Sequence, residues 1–358
     1  MRARLDDSPI TRVLDLARWA PSGDNTQVWR FEIQAPDCCI VHGRWISDHC
    51  VYDLEGHSSE LAIGALLENI ALAATREGCR ARIERLPANA RQPTFRVRLE
   101  ADAGTTPDPL VDVIEKRSVQ RRSYSTQSIP AEIRERLEAA LPEGYQAQWF
   151  EGWCERLDIA LLMFRNAGVR LVMPEAYEEH RKVIAWDSRF SEDRIPDQAL
   201  AIDPLLRRIM KWAMQRWERV RFLNRYAAGT WLARIEMDLI PAIRSGAHFV
   251  LHADTPPRSS DDYIAAGRIL QRFWLTATRC GLQLQPETTP LIFASYLRDD
   301  IRFCEDPAIR RRAQRCHRHL KRVLHPESDE SAFFFGRLGF GQAARARSLR
   351  RPLDKLLE

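Results

Sequence analysis

Ala20-Pro21-Ser22-Gly23-Asp24-Asn25-Thr26-Gln27-Val28-Trp29 joins two periodic patterns. Upstream, Ile10, Val13, Leu14 and Ala17 share one helical face, with Ser8 as N-cap and Pro9 as the first helical residue. Pro21 ends that helix, because its ring removes a donor and drives the preceding residue towards extended backbone. Downstream, Trp29, Phe31 and Ile33 alternate with Arg30 and Glu32, the pattern of a strand with one buried face. Ser, Gly, Asp and Asn are ordinary turn residues, so the stretch taken alone is compatible with a plain helix–strand connection.

Working outward, Cys39-Ile40-Val41 and Val51-Tyr52 read as short strands. A helix spans about Ser59 to Arg76 and stops at Gly78. It is apolar nearly all round and is expected to be buried. Phe95–Leu99 alternates and closes this part of the chain as a strand. A distant segment repeats the helix: Gly64, Leu67, Leu72, Ala74-Thr75-Arg76 and Gly78 correspond, at one constant offset, to Gly267, Leu270, Leu275, Ala277-Thr278-Arg279 and Gly281. An Ala-Thr-Arg-x-Gly ending in unbroken register argues for internal duplication.

The second unit opens near Val111, with Arg117-Ser118-Val119-Gln120-Arg121-Arg122-Ser123-Tyr124 running into Ile129-Pro130 and a helix at Ala131–Leu141. Residues 152–242 read as a helical insertion: Leu157–Phe164, a helix begun by Pro174, a loop at Ser191–Pro196, and one long helix at Asp203–Ala228 carrying Trp212, Trp217, Phe222 and Tyr226. Such an insertion beside a site would serve as a lid. The core resumes with a strand at Ala247–Ala253; the repeat helix follows, the stretch Leu282–Thr288 leaves it, and Phe333–Gly341 is a strand ending in glycines.

The expected organisation is therefore α+β, with mainly antiparallel sheets flanked by helices: residues 1–105 as the first half, 106–151 with 243–358 as the second, and 152–242 inserted. At 358 residues the chain is long enough for two cores. No apolar run reaches the ~20 residues of a membrane span, and the acidic residues near the N-terminus do not suit a signal peptide. Cytoplasmic location is the expectation. Net charge is +5, with 54 basic against 49 acidic residues, which does not by itself call for nucleic acid. Eight scattered cysteines without a Cys-x-x-Cys pair read as reduced thiols.

Pro21-Ser22-Gly23-x-Asn25-x-Gln27 before Trp29 resembles the Pro-Ser-x-x-Asn-x-Gln-Pro-Trp segment of the flavin-dependent nitroreductase family, with Val28 in place of Pro. Arg117-Ser118 through Tyr124 and Ile129-Pro130 is similar to that family's Arg-Arg-Ser-x-Arg-x-Tyr…Ile-Pro opening. Lys116 replaces the first Arg, and Gln120 lengthens the motif by one residue, leaving Arg121 or Arg122 as the partner. Arg337-Leu-Gly-Phe-Gly341 and Arg350-Arg351-Pro352-Leu353 resemble the family's closing strand and tail.

The resemblance implies a nitroreductase-like fold, duplicated in one chain as a pseudo-dimer, and an FMN-dependent oxidoreductase. NAD(P)H would be the reductant and a small conjugated or aromatic molecule the acceptor, in ping-pong turnover. The flavin carries the chemistry, so no catalytic side chain is implied. Arg117, Ser118, Arg121 or Arg122, Arg350 and Arg351 would hold the phosphate and ribityl chain. Pro21, Ser22, Gly23, Asn25 and Gln27 would lie along the ring, and Gln285-Pro286-Glu287 would supply a backbone donor to flavin N5. Only the first half has the Pro-Ser segment and only the second has the Arg-Ser segment, so one complete site per chain is expected. FMN is preferred to FAD because no Gly-x-Gly-x-x-Gly opens a strand–helix unit.

The other reading is an FMN-sequestering protein without turnover. The expected partner is a small-molecule substrate, with neither nucleic acid nor membrane, and further dimerisation of the intrachain pseudo-dimer is left open. Cys304…Cys316-His317-Arg318-His319 lacks the paired spacing of a zinc site, so no metal is expected. The Arg311–Arg322 and Arg345–Arg351 clusters lack a nucleic-acid-binding fold. Asp187, His180 and His248 could touch a substrate, but no spacing singles them out.

Overall fold

The computed structural model describes residues 7–48, 50–89, 91–226, 229–324 and 329–358. The reading of the first six residues lies outside them. The fold is α+β. Helix α1 (Pro9–Ala17) is capped by Ser8, whose hydroxyl accepts from the Thr11 N–H. The turn then feeds β1 (Trp29–Ala35), β2 (Cys38–Gly43), α2 (His57–Arg76), β3 (Cys79–Leu86) and β4 (Thr94–Ala101). These four strands form an antiparallel sheet in the order β1-β2-β4-β3.

After α3 (Ala131–Glu138) and β5 (Tyr145–Phe150) comes a helical excursion. It contains α4 (Trp153–Arg170), α5 (Pro174–Val183), the short bridges β6 (Ile184–Ala185), β7 (Phe190–Ser191) and β8 (Ile195–Pro196), then α6 (Pro204–Ala213), α7 (Trp217–Tyr226), α8 (Trp231–Arg234) and α9 (Ile240–Ile243). The chain returns through β9 (Ala247–Ala253), α10 (Ser260–Arg279), β10 (Leu282–Pro286), α11 (Thr289–Arg298), α12 (Pro307–Leu324), β11 (Ala332–Phe340) and β12 (Arg347–Ser348). Its main sheet is again antiparallel, ordered β5-β9-β11-β10. Each sheet runs first-second-fourth-third, and in each a 20-residue helix joins the second strand to the third.

Helices α2 and α10 cross where both lack side chains. A Cβ on Gly64 would lie 2.0 Å from the Ile264 carbonyl oxygen, and one on Gly267 would lie 2.2 Å from that of Leu61. Polar groups flank the crossing. Gln271 Nε2 donates to Asn69 Oδ1 at 2.7 Å in the interior, while Glu68 accepts from Arg268 at 3.1 Å and Arg272 at 2.8 Å. The tail then crosses from the second sheet to the first. Phe31 N–H donates to Leu356 O at 2.9 Å and Glu358 N–H to Phe31 O at 3.0 Å, and Leu353 and Leu356 enter the first core.

Three expectations need correcting. Val51-Tyr52 is a turn, held because the Asp53 carboxylate below it accepts from the Ile46 and Ser59 backbone N–H groups and the Ser59 hydroxyl. The helix expected at Asp203–Ala228 is two helices broken at residues 214–216, and its last two residues lie outside the described ones. The break is closed by Arg219, whose Nη1 donates to Trp212 O at 2.8 Å and Gln215 Oε1 at 2.7 Å. Strands β3 and β5 and helix α11 were not anticipated.

Gly267→Val is expected to lower the unfolding free energy by about 3 kcal/mol, since neither facing backbone can retreat without separating the helices. Gly78→Ala, at φ 65° with nothing within 4 Å of the new Cβ, should cost only about 1 kcal/mol. Urea unfolding of the two variants checks the contrast.

Candidate functional site

A cavity of about 480 Å³ lies between the turn after α1, the 117–121 and 285–289 segments, the tail, and the helical excursion. One end is cationic. Arg117 is 3% exposed, donates through Nη2 to Trp19 O at 3.1 Å, and stacks over Trp274 at 4.6 Å. Arg350 donates through Nε to Ala20 O at 2.8 Å, and Arg347 through Nη2 to Glu115 O at 2.7 Å. The Nε atoms of Arg117 and Arg347 have no hydrogen-bond partner. Among the described residues, no carboxylate pairs with any of the three.

Burial first, then Arg350 and Arg347, pushes the Arg117 guanidinium well below its ordinary pKa. Arg350 falls to about 9 through burial, Arg347 and Arg18. Buried like charges without counter-ions are costly. Three guanidiniums with donors to spare form a receptor for a multiply charged anion such as a phosphate monoester.

Pro21, Ser22, Gly23 and Asn25 line the cavity beside this end. Asp24, Asn25 and Gln27 all adopt left-handed φ values of 50°, 63° and 51°. That clustered strain is held by bonds to the excursion and the tail. Asn25 Nδ2 donates to Glu192 O at 3.2 Å and Arg194 O at 3.4 Å, while its buried Oδ1 has no partner. Gln27 does not line the cavity. Its Nε2 donates to Glu192 O at 2.8 Å, and its Oε1 accepts from the Arg351 N–H at 2.8 Å.

Gln285, Pro286 and Glu287 line the opposite wall. The Glu287 N–H is committed to Phe335 O at 2.7 Å, and its carboxylate accepts from His248 Nδ1 at 2.7 Å. The neighbouring Thr288 and Thr289 N–H groups make no hydrogen bond among the described residues, and both residues line the cavity, so they are backbone donors this segment has free. Ser118 and Arg121 also line the cavity. Arg122 faces a separate cleft shared with Arg189, Arg207 and Arg345, and Arg351 is half-buried 3.9 Å from Asp193.

The far end holds residues that sequence patterning did not single out. Arg170 donates to both oxygens of Asp238, at 2.7 and 2.9 Å. Tyr52 Oη lies 3.0 Å from His180 Nε2, and burial together with Arg170 pushes that imidazole down to about 3, so it is neutral. Asp24 is raised to about 6 by burial, which the facing Arg121 only partly offsets. None of these residues has a local signature, because the lining is assembled from segments far apart in the chain. Of the other candidates, Asp187 pairs with Lys211 at the surface, and His248 is fully buried. The only grouping of possible metal ligands among the described residues is Glu32, His42 and Glu358, away from the cavity. Cys304 and Cys316 are free buried thiols.

No family model matches the chain, and no curated protein matches it. Solved structures similar to this chain include the following two. The first is the nitroreductase-like family protein from Bacillus cereus, at 13% identity and TM-score 0.33, covering 71% of this chain and 97% of that one. The second is the FMN-dependent nitroreductase NfnB from Mycobacterium smegmatis in complex with NADPH, at 13% identity and TM-score 0.35, covering 69% and 96%. At those scores neither likeness bears on function, which has to be read from the cavity's own residues.

The half-buried Asp24 carboxyl makes a signed prediction. Its folded-state pKa of about 6 exceeds the ordinary 3.8, so the folded state disfavours ionised Asp24 and stability is lost as pH rises through that window. Asp24→Asn should therefore be more stable than the parent by about 3 kcal/mol above pH 6, with the difference vanishing as pH falls towards 3.8. Urea titrations across the window check it; a gap independent of pH would contradict the assignment.

Proposed function

We propose that the cavity binds FMN and that the chain is a nitroreductase-like oxidoreductase passing hydride from NAD(P)H to a small conjugated acceptor. The observation that carries the reading is the trio of buried Arg117 and Arg350 and half-buried Arg347, without a counter-ion among the described residues, at one end of a cavity whose walls are the Pro21–Asn25 turn and the Gln285–Thr288 segment. The donor set fits the cofactor. Two orphaned guanidinium Nε atoms suit a phosphate, the free Asn25 Oδ1 suits an N–H on a ring edge, and the unpaired Thr288 N–H suits a ring acceptor. Bound FMN would supply reversible two-electron chemistry. The chain's own part is to orient, to desolvate and, through the neutral His180 and Tyr52 at the far end, to offer polar contacts to an acceptor.

We further infer that residues 1–105 and 106–151 with 243–358 are duplicated halves and that 152–242 is an insertion. Their shared strand order and the α2/α10 repeat support this. On this reading the phosphate end comes from the second half and its tail, and the ring bed from the first, giving one site. Sequestration of FMN without turnover is the second reading. It is favoured by one observation: Asn25 and Gln27 both bond to the Glu192–Arg194 loop and so tie the excursion down beside the cavity.

Arg117→Ala should weaken FMN binding by roughly 100-fold, the loss of one charge-assisted fork, measured by quenching of flavin fluorescence; unchanged affinity would sink the proposed site. Anaerobic NAD(P)H then separates the two readings. Bleaching that an acceptor reverses supports the oxidoreductase, and bound flavin that stays oxidised supports sequestration.

A further inference from the structure

Helix α6 separates the cavity from the surface. Met210 on its inner side and Met214 just past its end line the cavity. Its outer side carries Leu205, Ile209 and Trp212, spaced four and three residues apart on one helical face and 65%, 42% and 46% exposed. Helix α7 continues this surface with Phe222 and Tyr226, 57% and 68% exposed, their rings in tilted contact at 5.2 Å. Arg219 bridges the two helices over Trp212 at 4.6 Å. An apolar face of this extent on adjacent helices is not left to water without a partner.

Charge identifies the partner. Residues 204–226 contain seven Arg and Lys but one acid, Glu218. Lys211 and Arg207 are engaged by Asp187 and Asp197. Arg208, Arg216, Arg219, Arg221 and Arg225 form no ion pair among the described residues. On α6, Arg208 flanks the Leu205–Ile209–Trp212 arc. Aromatic and aliphatic side chains rimmed by unpaired cations on short helices match an anionic lipid surface, in which apolar groups enter the acyl boundary and guanidiniums meet phosphates. A second copy of this chain would bring the same cations against themselves.

We propose that α6 and α7 dock peripherally on an anionic bilayer. The expectation of no membrane partner rested on the lack of a spanning segment, and no helix of the described residues is long and apolar enough to cross a membrane. An interfacial helix has no such requirement. Docking is independent of what the cavity holds.

Cosedimentation of the full chain with vesicles tests this. The protein should pellet with phosphatidylcholine and phosphatidylglycerol in equal parts, stay in the supernatant with phosphatidylcholine alone, and be released by added salt. Leu205→Glu with Trp212→Glu should abolish pelleting at an unchanged melting temperature. Arg208→Gln with Arg221→Gln, which removes no packing, should weaken binding by about 25-fold, or about fivefold per cation. Failure to pellet with anionic vesicles, equal pelleting with both kinds, or pelleting indifferent to the arginine pair would overturn the proposal. So would a dimer in sedimentation velocity that the glutamate pair dissociates, which would assign this face to a second copy.

Discussion

The close crossing of α2 and α10 is the constraint on which the rest depends. Gly64 and Gly267 let two 20-residue helices meet at backbone distance, and the interior Asn69–Gln271 bond fixes their register. A slipped register would strand a buried amide, which costs more than the bond contributes. With the helices locked, the two sheets stand in one fixed relation. The turn after α1 then faces the Arg117 segment, and the tail can reach from β11 across to β1.

The cationic end of the cavity follows from that placement. Trp19 and Ala20 offer carbonyl oxygens to Arg117 and Arg350, so the end of the first helix aims guanidiniums supplied by the 117–121 segment and the tail. Backbone carbonyls orient an arginine without neutralising it. The charge therefore remains available to a ligand, at a cost in stability that binding would offset. The excursion is secured to the same turn through Asn25 and Gln27, whose left-handed backbone is the strained component of the arrangement.

Much of this was legible in the sequence, for identifiable reasons. Pro21, the alternation around Phe31 and the repeated Ala-Thr-Arg-x-Gly ending are local signals, and the elements they mark appear where expected. Strand β3 was missed because Cys79, Ala81 and Ile83 alternate with arginines and present only small or half-buried side chains. The break between α6 and α7 is invisible to periodicity, since a three-residue interruption leaves the apolar spacing nearly intact and Arg219, at the start of the next helix, satisfies the Trp212 carbonyl. Arg117, Ser118, Arg121, Arg350 and the Pro21–Asn25 turn all line one cavity. Arg347, Arg170, Asp238 and Tyr52 line it too, but only tertiary packing brings them there. The extra residue at Gln120 left Arg121 and Arg122 undecided; the structure turns Arg121 into the cavity and Arg122 into another cleft.

The central claim is that the two halves share one anion-anchored flavin site. Flavin stoichiometry after saturation with FMN and removal of the excess, measured as flavin absorbance against chain concentration, tests it most directly. The account predicts one FMN per chain. Two per chain would mean that each half builds its own site, and none would mean that the arginine trio serves a different anion.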